Sequence, residues 1–178
     1  AKREEPIVIF VPEEAEETVK KFMLATYLFP EKMGFDIAVR PVRPDRFFED
    51  ENVAVFAHAN SHLVKNRGLI GTARYPNRMQ SYSFIIEADQ KKVVYSGDVD
   101  SFDDYAGLLG GCDLLITEGF HIDFEAAFAR AAEIGLNHII LTHLPAEVYR
   151  QPDHIKALAT KYGIEDLHIA RDGLRVKI

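Results

Sequence analysis

Residues 91–145, KKVVYSGDVDSFDDYAGLLGGCDLLITEGFHIDFEAAFARAAEIGLNHIILTHLP, decide the fold. Three short apolar runs, KVVYSG, CDLLITEG and HIILTHLP, are bounded by turn residues and separated by segments with helical spacing. The alternation reads as strand–helix–strand–helix–strand, and connections of this length imply parallel, neighbouring strands. Each run ends in polar groups: Asp98 and Asp100 after the first, Glu118 and His121 after the second, His143 after the third. In an open α/β sheet the ligand crevice lies beyond the carboxyl ends of the strands. Carboxylates and imidazoles are therefore expected to converge on one edge, where metal chemistry would be built.

Outside this stretch, composition sets the bounds. A chain of 178 residues suits one domain able to bury a real core. The net charge of −7 argues against a whole-surface nucleic-acid binder and leaves room for a local basic patch. The single cysteine, Cys112, excludes an internal disulfide and suits a reducing compartment. Because it opens the LLIT strand, it reads as packing. No apolar run approaches the roughly 18–20 residues of a membrane span, and AKREEPIVIF lacks signal-peptide features. No membrane role and a cytoplasmic location are expected.

Read in order, Ile7 to Val11 is a strand, and Pro12 starts a helix with Glu13 and Glu14 in its first turn. Ala15, Val19, Phe22, Met23 and Thr26 form its buried stripe. Asp36–Val42 and Val53–Ala59 are strands joined by the turn-rich RPDRFFEDEN. The second runs into AHANSHL, which offers His58 and His62. On a strand, residues four apart share a face about 13 Å apart, so one of the two is expected at a single metal. VKNRGLIGTARYPNRMQ then reads as a loop carrying Lys65, Arg67, Arg74 and Arg78 without an acid. It is either a solvated insertion or an anion-collecting flap. Ser81–Ala88 and Lys91–Tyr95 form a hairpin across Asp89-Gln90, with Ser81, Ser83 and Glu87 on a wetter face. Ser101 with Asp104 is a capping-box pattern for a short helix through Leu109. A helix after His121 stops at Gly135, and a last helix runs from Pro152 to a Gly163 cap. LHIA and LRVKI around Asp172-Gly173 read as a closing hairpin.

Few residues could carry chemistry. Asp98 follows Gly97 at a strand end, where glycine permits an unusual backbone angle. Its carboxylate could bridge two cations or accept turn hydrogen bonds. His143 after IILT is either a ligand or a satisfied strand-end residue. Glu118 and His121 could orient a metal-bound imidazole, or serve as loop polars near a helix start. A Ser96–His143 hydrolase pair lacks the G-x-S-x-G nucleophile elbow.

Phe56 to His62, Ser81 to Glu87, VVYSGDVD, CDLLITE and HIILTHL, in that order, resemble the second half of the metallo-β-lactamase fold, nearest to RNase Z-like and phosphodiesterase-type members. The resemblance implies that His62 ligates a first metal, Asp98 both metals and His143 the second, with His58 in reserve for His62. It implies two zinc ions in a complete site, with manganese or iron as alternatives, and a metal-bound hydroxide attacking a phosphodiester or other ester. The family's H-x-H-x-D-H string does not occur in residues 1–178. Three ligands remain, so the chain alone is expected to hold one zinc at most, or none. RNase Z members carry a His-Glu pair after the DLLI strand, where this chain has Thr117-Glu118 and His121 nearby.

The expected architecture is half of a four-layer α-β-β-α sandwich: a mixed sheet with helices on one face. Residues 1–178 would be a single, partial metallo-β-lactamase-like domain that associates with the complementary half or with itself. The expected function is metal-dependent hydrolysis of an anionic, nucleotide-type substrate met by the basic segment. The alternative is a metal-free module that keeps the fold for binding or assembly.

Overall fold

Valine-, isoleucine- and aromatic-rich runs punctuated by Gly, Pro and Asp turns set the strands of this chain. The computed structural model describes residues 3–178. In chain order they form β1 (Ile7–Pro12), α1 (Glu16–Ala25), β2 (Ile37–Val42), β3 (Asp45–Glu49) and β4 (Val53–Ala59). Next come α2 (Arg67–Ala73), β5 (Tyr82–Ala88), β6 (Lys91–Tyr95), α3 (Asp103–Ala106) and β7 (Leu114–Glu118). The chain continues through α4 (Phe124–Glu133), β8 (His138–Thr142), α5 (Ala146–Arg150), α6 (Pro152–Lys161) and β9 (Asp166–Ile169).

Strands β3 to β9 lie side by side in sequence order in one mixed sheet. β3 to β6 pair antiparallel, and β6 to β9 are parallel. The parallel half is what the strand–helix alternation of residues 91–145 predicts. Asp89 and Gln90 both adopt positive φ, the geometry of a two-residue hairpin turn between β5 and β6. Val94, Leu115, Ile139 and Leu141 point to one face and are buried against Tyr105, Phe128, Ala131, Ile155 and Ala159. Burying each large apolar side chain there contributes about 1.5–3 kcal/mol.

On the other face, β1 and β2 form a separate two-stranded parallel sheet, with α1 against β2. Phe10 meets Phe47 and Phe48 edge-on across the two sheets, and Val42 packs with Ala57 and Tyr82. The order is helix, small sheet, large sheet, helices, the four layers of an α-β-β-α sandwich. An apolar cleft of ≈ 540 Å³ between the sheets is lined by Val8, Phe10, Val55 and Phe84, among others.

Several local expectations are corrected. RPDRFFEDEN is not a plain turn: it holds β3, with a bulge between Arg46 and Phe48 that accompanies Phe47 packing on Phe10 and Phe84. The basic segment is not a loop but a 3₁₀ turn leading into α2, ended by Arg74 at φ 55°. The first helix begins with a 3₁₀ turn, and its stripe buries Met23 while Phe22 faces solvent. The final hairpin does not form: β9 pairs parallel with β8, because the crossover through α5 and α6 returns the chain alongside it. Among the described residues, no helix is long and apolar enough to cross a membrane.

Candidate metal centre

Asp98 sits in the loop that leaves β6, and its position is fixed by backbone constraint. Gly97 adopts φ +60°, and a Cβ there would lie 2.7 Å from the Tyr82 carbonyl oxygen, so both angle and space demand glycine. Behind it lies a set of buried polar contacts. Asn60 Nδ2 donates to Asp98 O at 3.2 Å and to Ser83 Oγ at 3.2 Å, while Ser83 Oγ donates to Ser96 O at 2.6 Å. Ser96 Oγ accepts from Glu118 N at 3.0 Å. Ser96 is fully buried and its hydroxyl is engaged, so it is no nucleophile.

His62 reaches this loop from the far end of β4. The strand stops at Ala59, and the chain turns so that His62 Nδ1 donates to Val99 O at 3.2 Å. A carbonyl can only accept, so Nδ1 carries a proton, and in the neutral ring Nε2 keeps its lone pair. Asp104 ties the two loops together, its Oδ1 accepting from Ser61 N at 3.1 Å and its Oδ2 from Asp100 N at 2.8 Å. This is the use of Asp104 in place of the expected capping box. His58 remains in β4 opposite Ser83, exposed, with no side-chain hydrogen bond or ring contact among the described residues. His62, and not the reserve His58, thus lies against the loop that carries Asp98.

His143 follows β8 with φ 46°, a left-handed angle costly for a residue with a Cβ. Its Nδ1 hydrogen-bonds Asp98 Oδ1 at 3.0 Å, and its ring stacks on Phe120 with centroids 5.6 Å apart. Between His62 and His143 stands His121, with ring centroids 5.1 Å and 6.0 Å from theirs. Glu118, 1% exposed, accepts from His121 Nδ1 at 3.1 Å through Oε1 and from the Phe120 and His121 amides through Oε2. Burial holds the Tyr105 phenol well above its usual range, so it stays protonated. It can therefore donate to Thr117 Oγ1 at 2.6 Å, which in turn donates to Glu118 O at 3.1 Å. Gly119 has no room for a side chain, since a Cβ would meet Leu144 and Phe124.

Three imidazoles are therefore anchored through Nδ1 on an oxygen, and each keeps Nε2 for another partner. Asp98 keeps Oδ2. Imidazole nitrogen and carboxylate oxygen are donors that zinc accepts, so the set fits a divalent ion in kind. In number and spacing it is an open set. Among the described residues, the one group of three whose ligand atoms all lie within 4.8 Å is elsewhere, at His138, Asp166 and His168. Of the basic residues, Lys65, Arg67 and Arg74 are exposed on the segment just beyond His62. Arg78 is turned away: it pairs with Glu13 at 3.0 Å, its amide bonds Glu14, and this pairing holds the Glu13 carboxyl below its usual value.

The sandwich layers and the His/carboxylate edge define a protein of the metallo-β-lactamase fold. The family described as "Beta-lactamase superfamily domain" matches residues 1–144, and the chain belongs to it. It is 29% identical over 136 residues to Ribonuclease Z 1 of Schizosaccharomyces pombe, covering 66% of this chain and 16% of that protein. Its fold is similar to that of YhfI from Bacillus subtilis, with TM-score 0.68, 20% identity, and coverage of 97% of this chain and 64% of that one. It also matches an isothiocyanate hydrolase from Delia radicum gut bacteria, with TM-score 0.68, 14% identity, and 97% and 67% coverage. The chain thus spans a small part of the yeast relative and about two thirds of the two structures.

Proposed function

We propose that this chain carries part of a metal-dependent hydrolase site for a phosphodiester or other anionic ester. Asp98, His62 and His143 would hold divalent ions, zinc first, and the remaining ligands would come from outside residues 1–178. The observation that carries the reading is the row of three imidazoles, each locked through Nδ1 with no partner at Nε2 among the described residues, beside the Asp98 carboxylate. Bound ions would acidify water and polarise the ester oxygen. His121, held through Nδ1 by buried Glu118, would as an imidazolium give a proton from Nε2 to the leaving oxygen. Lys65, Arg67 and Arg74 would draw an anionic substrate to the edge. The likeness to Ribonuclease Z 1 supports a phosphodiester over a neutral ester.

The test is metal content by elemental analysis of the unmutated chain beside Asp98→Ala and His143→Ala. Loss of the same ion in both variants supports the reading. A second reading has one observation in its favour: His143 and Asp98 already satisfy each other at 3.0 Å. A metal-free binding module would show equal metal content in all three proteins.

A further inference from the structure

β8 opens with His138 and is followed by His143, and the histidine at its start belongs to a different cluster. In the parallel register His138 lies beside Asp166 and Ile140 beside His168. Side chains alternate along a strand. His138, Asp166 and His168 therefore share the face opposite Ile139 and Leu141, away from the helix-covered core. His168 Nε2 lies 2.8 Å from Asp166 Oδ1, and His138 Nε2 lies 3.6 Å from Asp166 Oδ2. The two imidazole rings are 5.9 Å apart.

His138 Nε2 is the revealing atom. It is buried and has no hydrogen-bond partner among the described residues, since 3.6 Å is beyond hydrogen-bond reach. A buried polar atom without a partner costs about 1–3 kcal/mol, and such atoms call for a missing water or ion. One ion satisfies all three residues together. Zinc bonds nitrogen and oxygen at about 2.0–2.2 Å, which puts ligand atoms on a tetrahedral ion roughly 3.3 Å apart. The contacts of 2.8 Å to Oδ1 and 3.6 Å to Oδ2 of Asp166 lie on either side of that spacing, and one ligand atom from each of the three residues lies within 4.8 Å of the others.

We infer that His138, Asp166 and His168 form a binding site for a divalent transition-metal ion, separate from the site at the carboxyl edge. Two imidazoles select a zinc-like ion over calcium or magnesium, which prefer oxygen. Asp166 and His168 are partly exposed, so water can fill a fourth position. The site clips β9 to β8. β9 has four residues, ends the sheet and is held by one neighbour, so an ion bridging it to β8 would stop it from fraying. His138 and His143 are five residues apart on an extended strand, about 16 Å, too far to share an ion.

The test is calorimetric titration of the full 178-residue chain with zinc chloride, with thermal unfolding alongside. His168→Ala is the informative variant because that side chain is 37% exposed and its loss leaves the core intact. His168→Ala and Asp166→Asn should each weaken one binding event by more than about tenfold and remove the rise in Tm on adding zinc. His143→Ala should keep that event. The inference is overturned if folded His168→Ala, checked by circular dichroism, binds zinc as the unmutated chain does. It is equally overturned if His143→Ala abolishes all zinc binding. Neither result depends on whether the carboxyl-edge site is catalytic.

Discussion

The two ends of β8 show two ways of bringing histidines and a carboxylate together. At the amino end, His138, Asp166 and His168 stand on regular paired strands, and the register alone sets their ligand atoms within 4.8 Å. At the carboxyl end, His62, Asp98, His121 and His143 stand on four loops. Their placement needs a glycine at φ +60°, a histidine at φ 46° and buried polar contacts from Asn60, Ser83, Ser96, Asp104 and Glu118. A strand-borne site is preset by pairing and can only staple. A loop-borne site is costly to hold and stays open, which is what a substrate requires.

Backbone and scaffold substitutions should therefore hurt the loop-borne end most. Gly97→Ala should have the largest effect, destabilising by about 2–4 kcal/mol in urea unfolding, because it meets both the positive φ and the Tyr82 carbonyl. It should leave zinc affinity at His138–His168 unchanged in the protein that remains folded. Asn60→Ala should come next, at about 1–3 kcal/mol, since it strips a partner from the buried Ser83 hydroxyl and frees the 60–62 and 98–100 turns. Metal uptake at the carboxyl edge should fall although no ligand is touched. Once an active assembly is in hand, Arg67→Ala with Arg74→Ala should raise KM for a phosphodiester and spare a neutral ester. Equal loss on both substrates would remove the basic segment from the account.

The smallest effect concerns Glu13, remote from both clusters. Its carboxyl is held below the ordinary value of 4.5, first by the hydrogen bond from Arg78 and then by Arg43. A depressed carboxylate adds stability above its unfolded pKa, and that stability is lost as pH falls through the lower folded value. The stability gap between the unmutated chain and Glu13→Gln, followed by thermal unfolding, should close as pH drops below about 4.5. A gap that persists at lower pH would show that Arg78 is held by something else.

How much was legible beforehand follows the same division. Strand periodicity and the SGD and LTH strings were enough to place β6 to β8 parallel and to put Asp98 and His143 on one edge. Periodicity alone left His58 and His62 open and the family resemblance favoured His62; what the sequence did not show is how His62 is held, which depends on where β4 stops and on Asp104 tying two loops from different parts of the chain. The roles of Asn60 and Ser83 were hidden for a similar reason: the alternation of Ser81, Ser83 and Glu87 reads as a wetter face, whereas Ser83 is fully buried with its hydroxyl engaged. β3 was masked by the polar residues around Phe47 and Phe48. The His138–Asp166–His168 group exists only in the β8–β9 register, and reading the last strand as half of a hairpin removed it from view.

The most direct test is a nitrogen-15 spectrum of the histidine rings recorded as zinc is added to the 178-residue chain. The seven histidines of the chain report both ends at once. Nε2 of His62 and His143 should shift as one group, Nε2 of His138 and His168 as another, and His58 and His154 should not move. Shifts confined to His138 and His168, with His62 and His143 unmoved at saturating zinc, would contradict the assignment of a metal centre to the carboxyl edge.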